Sequence, residues 1–382
     1  MKWLWTHEDY LNWSTSDISH LLYIQGKPGS GKSTLTKYFR ENLTGREPDV
    51  HIPGAVVASF FYSFRDGEIQ KSHYNMLRSI LYDILNQNES CFFLFQSQYR
   101  EYRKRQEQGQ DQVQLGAWHY EALKDVLLAI GDHPWPQRLY LIIDAVDEST
   151  AEDRSDIVRL LFQLCAKNTC TMKVFVASRP VMELEHYMAK SRASGVIRMQ
   201  DMNKSDIRDF VDSFLPIIDF PENIVHKAKE YIVDHAQGVF LWVRLVRDRL
   251  IKYSMKGTTK TRIFDFLKGL PSELEGLYEL ILKDLCHTDD DHDENDSDEE
   301  DDASDGFKMF QFVLFTRRPL TIPELQHCLA ISDDPEVEFE PSAETFEGNI
   351  ILGIKKRITH CGRNLLECKD SKYSPGMIHR CR

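Results

Sequence analysis

Long apolar runs are missing from this chain of 382 residues. No stretch approaches the roughly 18–20 uninterrupted apolar residues that a membrane-spanning helix needs. The opening Met1-Lys2-Trp3-Leu4-Trp5 has none of the features of a secretory leader. The expectation is a cytoplasmic protein with no membrane partner. Cysteine is scarce as well, with eight irregularly spaced residues, which excludes a disulfide framework. His360, Cys361, Cys368, His379 and Cys381 cluster near the C-terminus but contain no C-x-x-C or H-x₃-H pair, a poor spacing for zinc.

Positive charge is absent from residues 288–305, which hold twelve carboxylates and no Lys or Arg. Without them the net charge of −13 falls to −1, so the acidic balance belongs to one tract and not to the fold. A run that repels itself and buries no apolar surface reads as a disordered linker. A Ca²⁺ site is the alternative, but the tract lacks the central glycine and closing glutamate of an EF-hand loop. Gln96–Gln114 is basic, with Arg100, Arg103, Lys104 and Arg105, yet its aromatics are only Tyr99 and Tyr102. It reads as an exposed helix end and loop, and no nucleic-acid partner is expected.

Gly26-Lys27-Pro28-Gly29-Ser30-Gly31-Lys32-Ser33-Thr34 satisfies G-x-x-x-x-G-K-[ST]. The apolar run Leu21–Ile24 precedes it, and a helical pattern (Leu35, Tyr38, Phe39) follows. Glycines let the backbone turn its N–H groups toward phosphate oxygens, the helix start adds a positive dipole end, and Lys32 adds a mobile charge. Ser33 supplies a hydroxyl for a Mg²⁺ bridging the phosphates. A nucleoside tri- or diphosphate is the expected ligand.

Short β-branched or aromatic runs at Gly54–Tyr62, Leu139–Asp144, Lys173–Ser178 and Val196–Gln200 alternate with helical periodicity at Ser72–Leu85, Trp118–Ile130 and Asp153–Cys165. That alternation predicts an α/β domain over residues 1–200, a parallel doubly wound sheet with helices on both faces. Residues 201–287 lose the strand signal and carry amphipathic segments at Ile207–Leu215, Ile224–His235, Phe240–Tyr253 and Leu274–Leu285, a helical domain. After the linker at 288–305, residues 306–382 predict three short helices (Phe307–Phe315, Pro323–Ile331 and near Ile351–His360) and a small hairpin, a winged-helix-like arrangement.

A phosphate loop needs a carboxylate at a neighbouring strand tip to hold Mg²⁺, and Leu139–Asp144 ends in one, Asp144. Asp147 and Glu148 follow, and either of two roles fits them: polarising the attacking water, or capping the next helix. Ser178-Arg179 closes another strand, where Arg179 reaches a γ-phosphate or pairs with a surface carboxylate. Asn203-Lys204-Ser205-Asp206 spells N-K-x-D, the guanine-reading tetrad. It is weakened by the amphipathic helix beginning there, where Ser205 or Asp206 suits an N-cap, and by Asp144-Ala145-Val146-Asp147 in place of D-x-x-G.

The combination GKPGSGKST, LYLIIDAVDES and VFVASRP resembles the NACHT branch of the signal-transducing STAND P-loop NTPases, most closely the fungal set related to heterokaryon-incompatibility proteins. Gly238–Val243 resembles that family's GVFLWV helix, Leu270–Tyr278 its LPxxLxxLY element, and Phe312–Leu325 its winged-helix opening. The resemblance implies an ATP/ADP switch with slow hydrolysis, the nucleotide clamped by the helical and winged-helix domains, and signalling through self-association or other signalling proteins. It implies that His379 touches the bound diphosphate, where a core or surface histidine is the other reading. Members of that family usually carry an N-terminal effector domain and a C-terminal repeat array, which these residues lack, so a truncated product, a fragment or a regulatory decoy is expected, with the winged-helix segment truncated. A phosphotransferase, which needs an arginine-rich lid not evident here, and a nucleotide-binding adaptor without catalysis are the competing functions.

Overall fold

The computed structural model describes residues 1–43, 55–64, 68–107, 120–135, 138–167, 169–190, 194–218, 220–255, 259–271, 273–286, 297–330, 353–361, 366–369 and 377–380. Two compact units emerge: Met1–Ser213 with Gln237–Leu241, and Phe214–Ala236 with Trp242–Arg382. The first unit therefore runs past residue 200, where the sequence places a boundary, and it recovers five residues from within the expected helical domain.

Five parallel strands organise the first unit: β1 (His20–Gln25), β2 (Val56–Phe61), β3 (Leu139–Asp144), β4 (Met172–Ser178) and β5 (Ser194–Arg198), in the order β2-β3-β4-β1-β5. Strands β3 and β4 are buried along their whole length, as central strands covered on both faces must be. Alternate residues feed two separate cores. Leu21, Tyr23, Leu141, Ile143, Val174 and Val176 face one, and Leu22, Ile24, Tyr140, Ile142, Phe175 and Ala177 the other.

The helices of this unit are α1 (Glu8–Thr15), α2 (Lys32–Leu43), α3 (His73–Gln87), α4 (Phe92–Glu107), α5 (Tyr120–Asp132), α6 (Ala151–Cys165), α7 (Met182–Lys190), α8 (Met199–Met202) and α9 (Lys204–Phe214, whose last residue belongs to the second unit). Helices α3, α5 and α6 fill the first core with residues such as Ile80, Leu127 and Leu161. Helices α1 and α2 fill the second with Trp13, Leu35 and Phe39. The expected doubly wound sheet is thus present. The N-terminal segment, for which sequence patterning predicts nothing, is part of it. Phe39 stacks on Phe175 with centroids 4.3 Å apart, Trp13 meets Tyr140 edge-on at 5.8 Å, and the Trp13 indole donates to the His20 carbonyl at 3.0 Å.

The second unit contains α10 (Glu222–His235), α11 (Phe240–Met255, whose first two residues belong to the first unit), α12 (Lys260–Gly269), α13 (Leu274–Cys286), α14 (Ser297–Phe315), α15 (Ile322–Leu329) and α16 (Ile354–Cys361). It also holds an antiparallel sheet of β6 (Leu320–Thr321), β7 (Leu366–Lys369) and β8 (Met377–Arg380), in the order β6-β8-β7. The hairpin expected near the C-terminus gains β6 as a third strand. Met309, Leu325, Ile358 and Ile378 are buried here. Thr321 and Glu324 form a reciprocal capping box at α15, and Arg318 donates to Glu324 at 3.0 Å, which accounts for the Arg-Pro-Leu-Thr-x-x-Glu spacing.

The acidic tract needs a correction. Disorder is expected through 288–305, but α14 begins at Ser297, so residues 297–305 are helical; 288–296 lie outside the described residues. Asp305, inside α14, pairs with Arg357 of α16 at 2.8 Å, so this carboxylate of the tract has a cationic partner.

Both cores can be tested through stability. Trp13, 1% exposed, fills the second core, so Trp13→Ala is expected to lower unfolding free energy by roughly 3–5 kcal/mol, read from denaturant midpoints. Burial holds the His73 imidazole, paired with the Tyr120 hydroxyl at 2.8 Å, down at about 4 from an ordinary 6.5. Between those values the unfolded chain binds a proton that the folded chain does not, so stability is lost as pH falls from 6.5 to about 4. His73→Gln should flatten that slope by up to about 3 kcal/mol across the window, in urea titrations at pH 7 and 4.5.

Candidate functional site

The C-terminal ends of β1, β4 and β3 lie side by side, with Ile24 opposite Ala177 and Ala177 opposite Asp144. The loop Gly26–Gly31 leaves β1 there and turns into α2, whose first turn is closed by Leu35 N–H donating to Gly31 O at 2.9 Å. Gly29 and Gly31 have φ of +69° and +91°, the left-handed region that penalises any side chain with a Cβ. Gly29 is constrained twice over: a Cβ there would stand 2.6 Å from Leu241 Cβ.

The loop is tied at several points. Gly26 N–H donates to Ser178 O at 3.2 Å, joining it to β4. The Lys32 ammonium turns back onto the carbonyls of Gly26 and Lys27, at 2.9 and 3.0 Å. Lys27 itself reaches the Gln237 side chain at 3.0 Å. Pro28 is half-buried, Ser30 is buried, and Ser33 and Thr34 are exposed at the start of α2.

Asp144 is 2% exposed at the tip of β3. Burial pushes its carboxyl above the usual range, opposed by the hydroxyls of Ser33 and Thr36 and by the charge of Lys32. Thr36 donates to it at 3.2 Å and to Lys32 O at 3.0 Å. Two hydroxyls from the start of α2, of Ser33 and Thr36, therefore meet the carboxylate at the tip of β3. Among the described residues no group of three His, Cys, Asp or Glu side chains forms a metal cluster. One carboxylate, one hydroxyl and ligand oxygens are nonetheless the donors that Mg²⁺ takes from a phosphate site.

Beyond Asp144 the chain bends at Ala145, whose φ of +57° is unusual for a non-glycine. The bend is fixed by Ala145 N–H to Ala177 O at 2.7 Å and by Glu148 N–H to Ala145 O at 2.8 Å. It turns Asp147 toward the end of β4. Asp147 Oδ1 accepts from the Ser178 hydroxyl at 3.0 Å and from Arg179 N–H at 3.1 Å, and Oδ2 faces Arg179 Nε at 3.3 Å. Of the two roles open to Arg179, the pairing with a carboxylate is present. Both oxygens of Asp147 are engaged in this contact, and with Glu148 it lies in the first turn of the short helix Val146–Glu148. Glu148 is 7% exposed and accepts Phe64 N–H at 2.9 Å.

The N-K-x-D tetrad is taken apart. Helix α9 starts at Lys204, ahead of the expected Ser205 or Asp206 cap. Asp206 accepts from the Trp3 indole at 2.8 Å. Asn203 is fully buried, and its Nδ2 donates to Ser30 O at 3.2 Å and Gly238 O at 2.8 Å. Sequence reasoning missed this bridge because the partners lie 173 and 35 residues away. The only local trace was Gly238, whose φ is +79° and where a Cβ would meet Gln200 Cα at 2.4 Å. His379 stands on β8 in the second unit, in register with Glu367.

Residues 1–179 match the family model described as Nephrocystin 3, N-terminal. The chain is 26% identical over 348 residues to vegetative incompatibility protein HET-E-1 of Podospora anserina, with 87% of this chain aligned. It spans only 23% of that relative's length. Among solved structures, Drosophila ORC bound to DNA aligns over 95% of this chain and 86% of its own at 12% identity and a TM-score of 0.41. Cdc6p from Pyrobaculum aerophilum aligns over 100% and 89% at 11% identity and a TM-score of 0.34. No helix among the described residues is long and apolar enough to cross a membrane. Taken with the parallel sheet and its glycine loop, the sequence matches support a NACHT-like P-loop NTPase.

Proposed function

We propose that this chain is a cytoplasmic ATP/ADP switch that hydrolyses nucleotide slowly and signals through self-association or other signalling proteins. The observation that carries this reading is the convergence of Lys32, Ser33 and buried Asp144 beneath a loop held in left-handed glycine geometry. In this reading the N–H groups of Gly26–Thr34 cradle the phosphates, and Lys32 balances their charge. Ser33 and Asp144 hold Mg²⁺, which would neutralise charge on the β- and γ-phosphates. Glu148, oriented by Phe64 N–H, is better placed than Asp147 to act as general base, because Asp147 is committed to Ser178 and Arg179. Arg179 then senses the γ-phosphate from the strand between the loop and Asp144. Asn203 is committed to backbone carbonyls, which favours adenine over guanine nucleotides. His379 remains our candidate for a diphosphate contact, and residues 306–382 our candidate for a winged-helix-like element. Nucleic acid has no part in this reading.

Thermal denaturation with MgADP, MgATP and MgGTP tests it. At a hundredfold excess over the dissociation constant, ligand should stabilise the wild type by about 2.7 kcal/mol, and Lys32→Ala or Ser33→Ala should abolish the gain. Asp144→Asn removes a buried charge, so it should melt higher than wild type without ligand yet gain less from MgADP. Absence of any shift in the wild type would sink the reading, and a guanine preference would overturn its base assignment.

A further inference from the structure

Asn203 takes no part in the chemistry above, and its surroundings give it a different task. Two carbonyl oxygens, of Ser30 and Gly238, converge on its Nδ2 at 3.2 and 2.8 Å in a fully buried site. Two acceptors need a group with two hydrogens, and a short neutral amide supplies them. Its Oδ1 has no hydrogen-bond donor among the described residues, so the NH₂ end alone holds the side chain. The carbonyl of Ser30 and the N–H of Gly31 share one planar trans peptide and point in opposite directions. Pinning Ser30 O therefore aims Gly31 N–H to the other side, away from Asn203.

The segment that Asn203 reaches touches the loop independently. Leu241 N–H donates to Gly29 O at 3.2 Å, Lys27 reaches Gln237 at 3.0 Å, and the missing Cβ of Gly29 leaves space for Leu241. Residues 237–241 end in the first two residues of α11, where the chain passes on to the second unit.

We propose that Asn203 is a positioning residue of the nucleotide site, its amide joining Ser30 to Gly238 so that phosphate binding and order in residues 237–241 rise and fall together. This rests on the nucleotide reading above, and names how that site reports its occupancy to the rest of the chain.

The test is calorimetry with MgADP combined with hydrogen exchange of peptides covering 26–34 and 237–241, on the full chain. In the wild type, MgADP slows exchange in both peptides. In Asn203→Ala the affinity falls about tenfold, within the range of measured site couplings, and saturating MgADP protects 26–34 while 237–241 stays unprotected. Asn203→Ser, which keeps one donor, lies between them. A merely structural role would lower the melting temperature without separating the two peptides. Should Asn203→Ala not fold, Gln237→Ala at an exposed position removes the Lys27 link and is expected to lose part of the protection of 237–241. Wild-type protection in that variant overturns the proposal. So does a wild type in which MgADP protects 26–34 alone, or an Asn203→Ala protein with wild-type affinity and both peptides protected. A wild type that binds no MgADP brings down the nucleotide reading itself, an outcome distinct from these.

Discussion

Backbone pairing of β4 with β1 on one side and β3 on the other sets the spacing of everything at the candidate site. Parallel strands in register bring their C-terminal ends to one edge, so Gly26, Ser178 and Asp144 arrive together without long side chains having to reach. The ladder continues past the strands, since Gly26 N–H takes Ser178 O and Ala145 N–H takes Ala177 O. Sheet geometry, more than any side-chain contact, places the loop beside its carboxylate. The two cores matter because they hold β3 and β4 dry on both faces, where a one-residue slip would reverse every inward side chain.

Around this scaffold the loop obeys two sets of demands. Left-handed φ at Gly29 and Gly31 answers the need for a tight turn between β1 and α2, and the closeness of Leu241 to Gly29 adds a packing need. Asp144 is in a similar position. Its burial penalises the charge that a cation would need, and the hydroxyls of Ser33 and Thr36 offset part of that penalty. Asp147 shows how a strand tip is stiffened, gathering Ser178 and both ends of Arg179 onto one carboxylate.

Legibility in the sequence followed locality. The tight glycine loop was legible because its demands fall on nine consecutive residues. The position of Asp144 was legible because the apolar run Leu139–Ile143 ends at it, and it closes a strand buried along its whole length. The strands of the first unit were placed within two residues or so, because fully buried parallel strands write themselves as apolar runs. What could not be read was set by distance. Trp13 and Tyr10 complete a core whose other half lies on Phe175 and Tyr140, far along the chain. Asn203 looked like part of a base-reading tetrad because four adjacent letters were all that could be compared. Strand β6 has two residues, too few for any period to register. Helix α12 has its apolar side chains bunched at Ile263, Phe264, Phe266 and Leu267, within little more than one turn.

The five residues Gln237–Leu241 make the first unit discontinuous: the chain crosses between units after Ser213, before Gln237 and after Leu241. A polypeptide ending at Ser213 would therefore contain every phosphate-loop residue and still be an incomplete fold. The Ser30 carbonyl would keep Asn203, but Asn203 would lose Gly238 and the Gly29 carbonyl would lose Leu241. By the same topology, a single backbone nick near residue 213 divides the polymer without dividing the unit, because the downstream piece still carries a part of the upstream one. A version of this domain that keeps the Gly238 and Leu241 contacts has to be cut beyond Leu241.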